Sequence, residues 1–236
     1  MEPRKDLVLL GAFIAFGLVA STWIATHTHK NGGEIAVKGY AERRIKSDLG
    51  VWRGRFSVRG PELVPAYAEL EKQSAIVSAW LQSQGAKGEM SSVYTTVEHK
   101  LDAQGHATNE IEDYVLTQNV EVEGTDVALI TRIGNKSTEL IQKGVAFESD
   151  QPLWFYTKLN DLKIQMLGDA AHDARVRAEK IADEGHGDVG SLRSADQGVF
   201  QITAPTSTEV SGSGELDTSS VEKSVKAIVT VRYGLD

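Results

Sequence analysis

The sequence predicts an α+β fold with a mixed, largely antiparallel sheet and packed helices, preceded by one N-terminal transmembrane helix. Three observations support this prediction. Stretches in which apolar and polar residues alternate are typical of half-buried strands, and several follow one another closely enough to form hairpins. Between them lie stretches with apolar residues at every third or fourth position, typical of amphipathic helices. An apolar segment of 19 residues without a charge, Leu7 to Ala25, lies near the N-terminus.

The apolar segment predicts a single-pass anchor over residues 7–26, after a cytoplasmic N-terminus over residues 1–6. As a helix it would be roughly 28 Å long, about the thickness of the hydrocarbon core of a bilayer. Arg4 and Lys5 precede it, which favours export of the remaining chain. Cleavage as a signal peptide is the alternative. The residues expected to contact lipid include Leu7, Leu10, Phe13, Phe16 and Trp23.

Composition excludes several classes of function. A net charge of −8 and a pI near 5.3 argue against a general nucleic-acid binder, which needs a basic surface to displace counterions. The chain has no cysteine, so disulfides and thiolate metal sites are excluded. The partners predicted for this chain are the bilayer and further copies of the same chain, and nucleic acid is not among them.

A polar linker over residues 27–33, with the solvated pair His27 and His29, leads to the body of the protein at residues 34–236. The body begins with a strand in which Ile35, Val37, Gly39 and Ala41 share one face. Ser47 and Asp48 predict a turn, and a second strand follows. Its inward face holds Trp52, Gly54, Phe56 and Val58, and its outward face holds Arg53, Arg55 and Arg59.

The middle of the chain alternates helices with strands. Pro61 opens a helix that ends at Gly85, with Leu63, Tyr67, Leu70, Val77 and Leu81 facing inward. A strand from Val93 and another over Tyr114–Val122 predict a hairpin around a polar loop at Asp102–Asn109. The next helix is capped by Thr125, ends at Gly144 and turns Ile130, Ile133, Leu140 and Ile141 inward.

The last third contains the most regular helix. After a fifth strand within Val145–Thr157, a helix over Leu159–Glu184 buries a stripe made mainly of alanine, and small side chains allow close approach to a neighbouring surface. Asn160 or Asp161 can cap its start and Gly185 can end it. A sixth strand within Val189–Ala204, a polar loop over Thr206–Ser220 and a final strand over Lys226–Tyr233 complete the chain. The stripe consists of Leu159, Leu162, Met166, Ala170, Ala174, Ala178 and Ile181.

Two surfaces are candidates for an interface between subunits. The first is the set Arg53, Arg55 and Arg59, which would form a positive stripe on an acidic protein. This stripe either pairs with carboxylates of a neighbouring strand or contacts another subunit, where arginine is favoured. The second is the cluster Trp154, Phe155 and Tyr156, which is either core or a wedge between subunits. Carboxylates expected near the stripe are Glu110, Glu112, Asp113, Glu121 and Glu123.

The sequence contains no recognisable catalytic or cofactor motif. Phosphate-binding loops of the GxxxxGK type, HExxH and GxSxG are absent. His99 and His106 flank the hairpin loop near Glu110, but their spacing matches no metal framework. His172 and His186 have positions that a structural role explains. The sequence therefore predicts no catalytic residue, no cofactor and no metal, and a protein that is not an enzyme.

The ordered set of segments resembles the SIMPL-domain family of bacterial periplasmic and membrane-attached proteins, over Ile35–Leu235. The resemblance is clearest in the long helix and the residues after it, from Ala170 through Ala174, Arg175, Ala178 and Glu179 to Gly187 and Gly190. It extends to Gly39 in the first strand and Asp48 after it. It also covers the helix over Asp126–Gln142 and the final run Val225–Tyr233. Where a proline is common before Asp48, this chain has Lys46 and Ser47.

The resemblance implies no established enzymatic activity. It implies a domain that self-assembles, in some members into large ring-like or channel-like oligomers, with links to envelope and oxidative stress. Together with the predicted anchor, the resemblance predicts a location in the bacterial inner membrane, with the body in the periplasm. A second hypothesis is a ligand-binding or enzymatic domain with a pocket between the sheet and the helices. Convergence of His99, His106 or Glu110 in a concave site would favour that alternative.

Overall fold

A computed structural model describes residues 33–207 and 211–235 as an α+β fold, as the sequence predicts. In the described residues the helices are α1 (Leu63–Ser83), α2 (Val127–Lys136), α3 (Glu139–Gln142) and α4 (Leu159–Glu184). The strands are β1 (Glu34–Lys46), β2 (Leu49–Gly60), β3 (Glu89–Met90), β4 (Tyr94–Leu101), β5 (Ala107–Gly124), β6 (Phe147–Ser149), β7 (Leu153–Phe155), β8 (Val189–Gln197), β9 (Gln201–Thr203), β10 (Glu215–Leu216) and β11 (Glu222–Leu235).

The strands form two sheets rather than the single sheet expected. A five-stranded sheet has the order β1-β11-β9-β10, with β8 also paired to β11. A six-stranded sheet has the order β3-β5-β2-β6, with β4 paired to β5 and β7 paired to β2. The pairing of β9 with β10 is parallel. The pairings of β2 with β5, β6 and β7, of β5 with β3 and β4, and of β11 with β8 and β9 are antiparallel.

The chain divides into two compact units. One contains the described residues up to Tyr40, together with Ala170–Gly198 and the residues from Val229 onward. The other contains Ala41–Asp169 and the described residues of Val199–Ile228, and so includes the whole six-stranded sheet. β1, α4 and β11 each continue from one unit into the other.

The core of the larger unit lies on one face of β2 and β5, where alternation turns every second side chain inward. Trp52 is fully buried and stacks on Phe147, with ring centroids 5.8 Å apart. Phe147 also stacks on Phe56 at 6.4 Å. Gly54 lies against the ring of Phe147. A side chain does not fit there, because an added Cβ would be only 2.1 Å from the ring. This aromatic cluster is packed among buried aliphatic side chains, and their joint burial stabilises the unit.

In the smaller unit a glycine on β1 lies against the alanine stripe of α4. A Cβ at Gly39 would be 1.9 Å from the Ala170 carbonyl oxygen and 2.7 Å from the Ala174 Cβ. Ala170, Ala174 and Ala178 are fully buried, so the expectation of close approach through small side chains is confirmed. The N–H of the next residue, Tyr40, donates to Asp173 on the helix at 2.8 Å. Arg177 also bonds Asp173, and these two hydrogen bonds lower the pKa of Asp173.

Several residues expected to face inward are exposed. Leu63 and Tyr67 in α1, Ile141 in α3 and Ile181 in α4 each expose two fifths or more of their surface. In α1 the buried set instead includes Ala66, Gln73 and Trp80, and in α4 the last buried residue is Ala182. Periodicity predicted α1 and α4 correctly but misplaced the edges of their buried faces. The single helix predicted to end at Gly144 is divided into α2 and α3.

The helix ends differ from the predicted caps. Asp126, not Thr125, caps α2, since its carboxylate accepts a hydrogen bond from the Leu129 N–H at 3.0 Å. α4 already begins at Leu159, so the proposed caps Asn160 and Asp161 lie inside its first turn. At the other end α4 stops at Glu184, and the residue with left-handed backbone is His186, with φ 57°.

Some predicted loops and strands are also divided differently. The hairpin loop is shorter than expected, because β5 begins at Ala107. The fifth strand is interrupted and forms β6 and β7, and the sixth forms β8 and β9. The stretch predicted as a polar loop contains the short strand β10.

Among the helices that the structure describes, none has the length and apolar character needed to cross a membrane. The predicted anchor and the pair His27 and His29 lie outside the described residues.

Replacing Gly39 with alanine is expected to destabilise the protein by about 1–3 kcal/mol, the usual cost of inserting a methyl group into a filled space. The reason is the backbone carbonyl of Ala170, which cannot rotate away as a side chain could. Urea unfolding followed by circular dichroism measures the change. Gly168→Ala is the matched control, because nothing lies within 4 Å of its added Cβ. This control is expected to be neutral or stabilising by up to about 1 kcal/mol, and an equal loss in both variants would refute the interpretation.

Candidate functional site

The outward side of β2 carries Arg53, Arg55 and Arg59, which we call the arginine face. Each arginine is paired with a glutamate: those of Arg53 and Arg55 are on the neighbouring strands β5 and β6, and that of Arg59 is on β4, beyond β5. Arg53 Nε lies 2.6 Å from Glu121 Oε2, Arg59 Nη2 lies 2.7 Å from Glu98 Oε1, and Arg55 pairs with Glu148. Pairing with carboxylates of neighbouring strands was one of the two predicted interpretations, and Glu121 was among the partners expected.

The arginine face is therefore nearly neutral in its local charge. The hydrogen bond from Arg55 to Glu148, together with the charge of Glu148, raises the pKa of Arg55. All three pairs are exposed to solvent, and such pairs typically contribute only about 0–1 kcal/mol. Next to them lies an open groove of about 570 Å³, lined by side chains of both charge signs. These include Arg53, Arg55, Glu89, Glu121, Glu148 and Asp150.

Beyond this face, β4 and the first part of β5 form a hairpin, which we call the hairpin arm (residues 94–113). Tyr94–Val97 extend the six-stranded sheet beside Tyr114–Thr117, and Glu98–Leu101 form a two-stranded ribbon with residues 107–113. β5 pairs with β2 only from Tyr114 onward, so residues 107–113 have β4 as their strand partner. Apolar side chains on the arm are exposed in large part. Their exposed fractions are 69% for Tyr94, 38% for Val97, 65% for Leu101 and 43% for Ile111. A two-stranded ribbon without cover on either face has little stability of its own.

The residues that would favour an enzymatic or ligand-binding pocket all lie on the exposed hairpin arm. His106 Nδ1 is 3.4 Å from Asp102, and Glu110 is paired with Lys100 at 3.0 Å. The Asp102 carboxylate accepts hydrogen bonds from the backbone N–H groups of His106 and Gln104. These hydrogen bonds lower the pKa of Asp102, and they indicate a structural role in the turn. His99 lies opposite Ile111 on β5. Within the described residues, no three His, Asp or Glu side chains are grouped to hold a metal ion.

The aromatic cluster at residues 154–156 is divided between core and surface. Trp154 is buried in the core of the larger unit, with 5% of its surface exposed, so it offers almost nothing to another chain. Phe155 and Tyr156 are half-buried. Together with Ile45, Leu159 and Lys223, the three aromatic residues line a small cavity of about 70 Å³.

Sequence reasoning missed a buried ion pair beside this cavity. The Lys223 side chain is 2% exposed, and its Nζ donates to the carbonyl oxygens of Asp217 and Ser220 at 2.6 and 2.5 Å. The Asp217 carboxylate lies 3.7 Å from the same Nζ. A period of two, counted back from Val225, places Lys223 on the buried face of β11, and that is the signal that predicts its burial.

The pKa values of this pair move in the directions that burial and pairing dictate. Burial lowers the pKa of Lys223, while the charge of Asp217 opposes the change. Burial alone would raise the pKa of Asp217. Hydrogen bonds from Ser219 and Ser220 and the charge of Lys223 outweigh it, and the pKa falls to about 2. Because Lys223 bonds two carbonyls of the loop before β11, we assign the pair a structural role.

Taken together, the described residues form an α+β domain with a charged sheet face that continues into a hairpin with exposed apolar residues. Comparison with known families agrees with this class. The model of the SIMPL family, described as proteins of unknown function (DUF541), matches residues 35–233. The chain belongs to the SIMPL family, and the resemblance found in its sequence is confirmed. No curated protein matches the sequence.

The low pKa of Asp217 predicts a loss of stability in acid. A carboxyl group whose pKa is lower in the folded state stabilises the protein above its unfolded pKa of 3.8, and this contribution disappears as the pH falls through about 2. The loss is expected to be roughly 2 kcal/mol. Urea unfolding at pH values from 5 to 2 measures it for the wild type and for Asp217→Asn. The variant is expected to be less stable at pH 5 and to depend less on pH, and two parallel curves would contradict the assignment.

Removing the buried lysine is expected to lower the free energy of unfolding more than the loss of the Asp217 charge does. Lys223→Met leaves the two loop carbonyls without their donor and Asp217 without its counter-charge, a loss of roughly 3–5 kcal/mol for one partner of a buried pair. Lys180→Met is the control, because Lys180 is 72% exposed and pairs with Glu184 one helical turn away. That variant is expected to change the free energy of unfolding by less than about 0.5 kcal/mol. Chemical unfolding distinguishes the two.

Proposed function

We propose that this protein is a non-enzymatic, membrane-anchored envelope protein whose periplasmic body self-assembles into a homo-oligomeric scaffold. The observation that supports self-assembly most strongly is the exposure of Tyr94, Val97, Leu101 and Ile111 on the hairpin arm. Apolar residues that cluster on an otherwise charged surface are typical of protein interfaces. Contact with another chain would bury this surface and stabilise a ribbon that is marginal alone.

The arginine face is the second candidate contact surface in this proposal. Its alternating charges could exchange partners between chains, so that Arg53, Arg55 or Arg59 would meet a glutamate of a neighbouring copy. Each arginine already has a glutamate in its own chain, so the exchange would gain little free energy. We therefore assign the face a role in orienting subunits rather than in holding them together. Phe155 and Tyr156 are a third, smaller candidate.

The anchor in the proposal rests on the sequence of residues 7–26. Each copy would contribute one apolar helix, and several helices in one assembly would bind the membrane with avidity. The acidic body, with a chain net charge of −8, would gain little from anionic lipids by itself. The anchor therefore fixes the protein to the inner membrane, and the body determines the assembly.

The experiment that tests this proposal measures the mass of the full-length protein in detergent by light scattering, beside a chain starting at Gly33. Both chains are expected to form the same discrete oligomer, and only the full-length chain is expected in the membrane fraction. Assembly of the full-length chain alone would assign association to the anchor instead of the body. Monomers in both samples would overturn the scaffold proposal and favour the alternative of a ligand-binding domain. Ligands for the groove beside Arg53 and Arg55 would then be screened.

A further inference from the structure

The outer side of β4 is an open sheet edge. In the described part of the chain β5 is the strand that pairs with β4, and no backbone hydrogen bond joins the other side of β4 to a different element. The two irregularities in the β4–β5 ladder add residues to β5, so β4 itself remains regular over its 8 residues. It contains no proline, which would otherwise block addition of another strand.

We propose that β4 pairs antiparallel with β4 of a second copy of this chain, in the register that places His99 opposite His99 of the second copy. The inference rests on the self-assembly proposed above and names its contact. In an antiparallel continuation of the sheet, a two-fold axis passes between two identical residues. Counting outward from His99, Glu98 then faces Lys100 of the second copy, and Val97 faces Leu101.

This register matches both faces of the strand. On one face two pairs of opposite charge form, Glu98 with Lys100 in both directions, and opposite charges directly across a ladder are stabilising. On the other face two pairs of Val97 with Leu101 form, beside Ile111 of each chain, which lies next to β4 opposite His99. Val97 and Leu101, which the isolated chain exposes, are therefore brought into contact with each other, whereas Tyr94 lies on the other face of the strand.

Neighbouring registers match less well. Moving the axis to Glu98 places two glutamates opposite each other, and moving it to Lys100 places two lysines opposite each other, which is unfavourable. An axis at Val97 avoids a clash but pairs Glu98 with Thr96 and forms no ion pair. An axis midway between two neighbouring residues would place residues from opposite faces of the strand across from each other. Charge complementarity therefore selects the axis at His99.

The charges involved remain accessible within the single chain. Glu98 is bonded to Arg59 and is 38% exposed, and Lys100 is bonded to Glu110 and is 56% exposed. In the paired strands each gains a second partner, so Arg59, Glu98 and Lys100 of the second copy form a connected network. The contact is isologous and produces a dimer of sheets. A larger assembly requires another surface, and the arginine face is the one next to it.

Single cysteines test the register in the full-length protein, which has no cysteine of its own. In detergent under mild oxidation, His99→Cys is expected to form a covalent dimer on a non-reducing gel. Val97→Cys and Thr95→Cys lie on the same strand and face, but their pairs would be about 14 and 27 Å apart at about 3.4 Å per residue. They are expected to cross-link at least tenfold less. Stronger cross-linking at residue 97 than at residue 99 would refute the register.

A charge exchange provides an independent test. E98K and K100E are each expected to raise the dissociation constant of the dimer at least tenfold, because each places like charges opposite one another. The double variant E98K/K100E is expected to restore it, although it does not restore the bond to Arg59. If E98K weakened the dimer only by removing the intrachain pair of Glu98 with Arg59, the double variant would not be rescued.

The outcomes separate this inference from the broader proposal. If light scattering finds an oligomer but His99→Cys does not cross-link and the charge exchange gives no rescue, the β4 contact is wrong and self-assembly stands. If the wild type is a monomer and no cysteine cross-links, both are wrong. Circular dichroism of each variant, and its mass after reduction, check that the exposed substitutions leave the fold intact.

Discussion

The antiparallel register of β2 with β5 determines most of what the larger unit presents to its surroundings. Eleven residues of each strand, Gly50–Gly60 and Tyr114–Gly124, lie opposite each other. Because side chains alternate, this one register sends Trp52 and Phe56 into the core and Arg53 and Arg55 to solvent, and a slip by one residue would exchange the two sets. The register also leaves the first part of β5 beyond the end of β2, and that overhang becomes the hairpin arm.

The smaller unit depends on a different constraint, the absence of side-chain volume. Gly39 and the alanines of α4 allow strand and helix to approach so closely that the backbone N–H of Tyr40 reaches Asp173. Packing at this distance gains dispersion energy from backbone atoms, but it excludes every larger residue at that point of β1.

Patterns of period two and 3.6 were sufficient to predict α4, β2 and β11, because each buries one regular face. The hairpin was predicted from two alternating stretches around a polar loop, although β4 buries neither face. The patterns failed where burial depends on what covers an element. Tyr67 and Ile181 lie at the edges of otherwise buried stripes, and sequence spacing does not show how far the covering surface extends. The pairing of Arg55 with Glu148 depends on β6 lying beside β2, and that is a long-range choice no local pattern contains. Lys223 shows the reverse case, since its alternation indicates burial but its charge argues against it.

The open edge of β4 differs from most edge strands in how its charges are arranged. Edge strands are commonly protected by proline, by shortness or by a charge that repels a second strand. β4 carries charges, but Glu98 and Lys100 lie two residues apart on one face and have opposite signs. A single charge at residue 98 would oppose only the register about itself, whereas this arrangement opposes pairing about Glu98 or Lys100 and favours pairing about His99. In the proposed contact, the same two residues thus oppose unspecific association of the edge and favour one partner, a second copy of the strand itself.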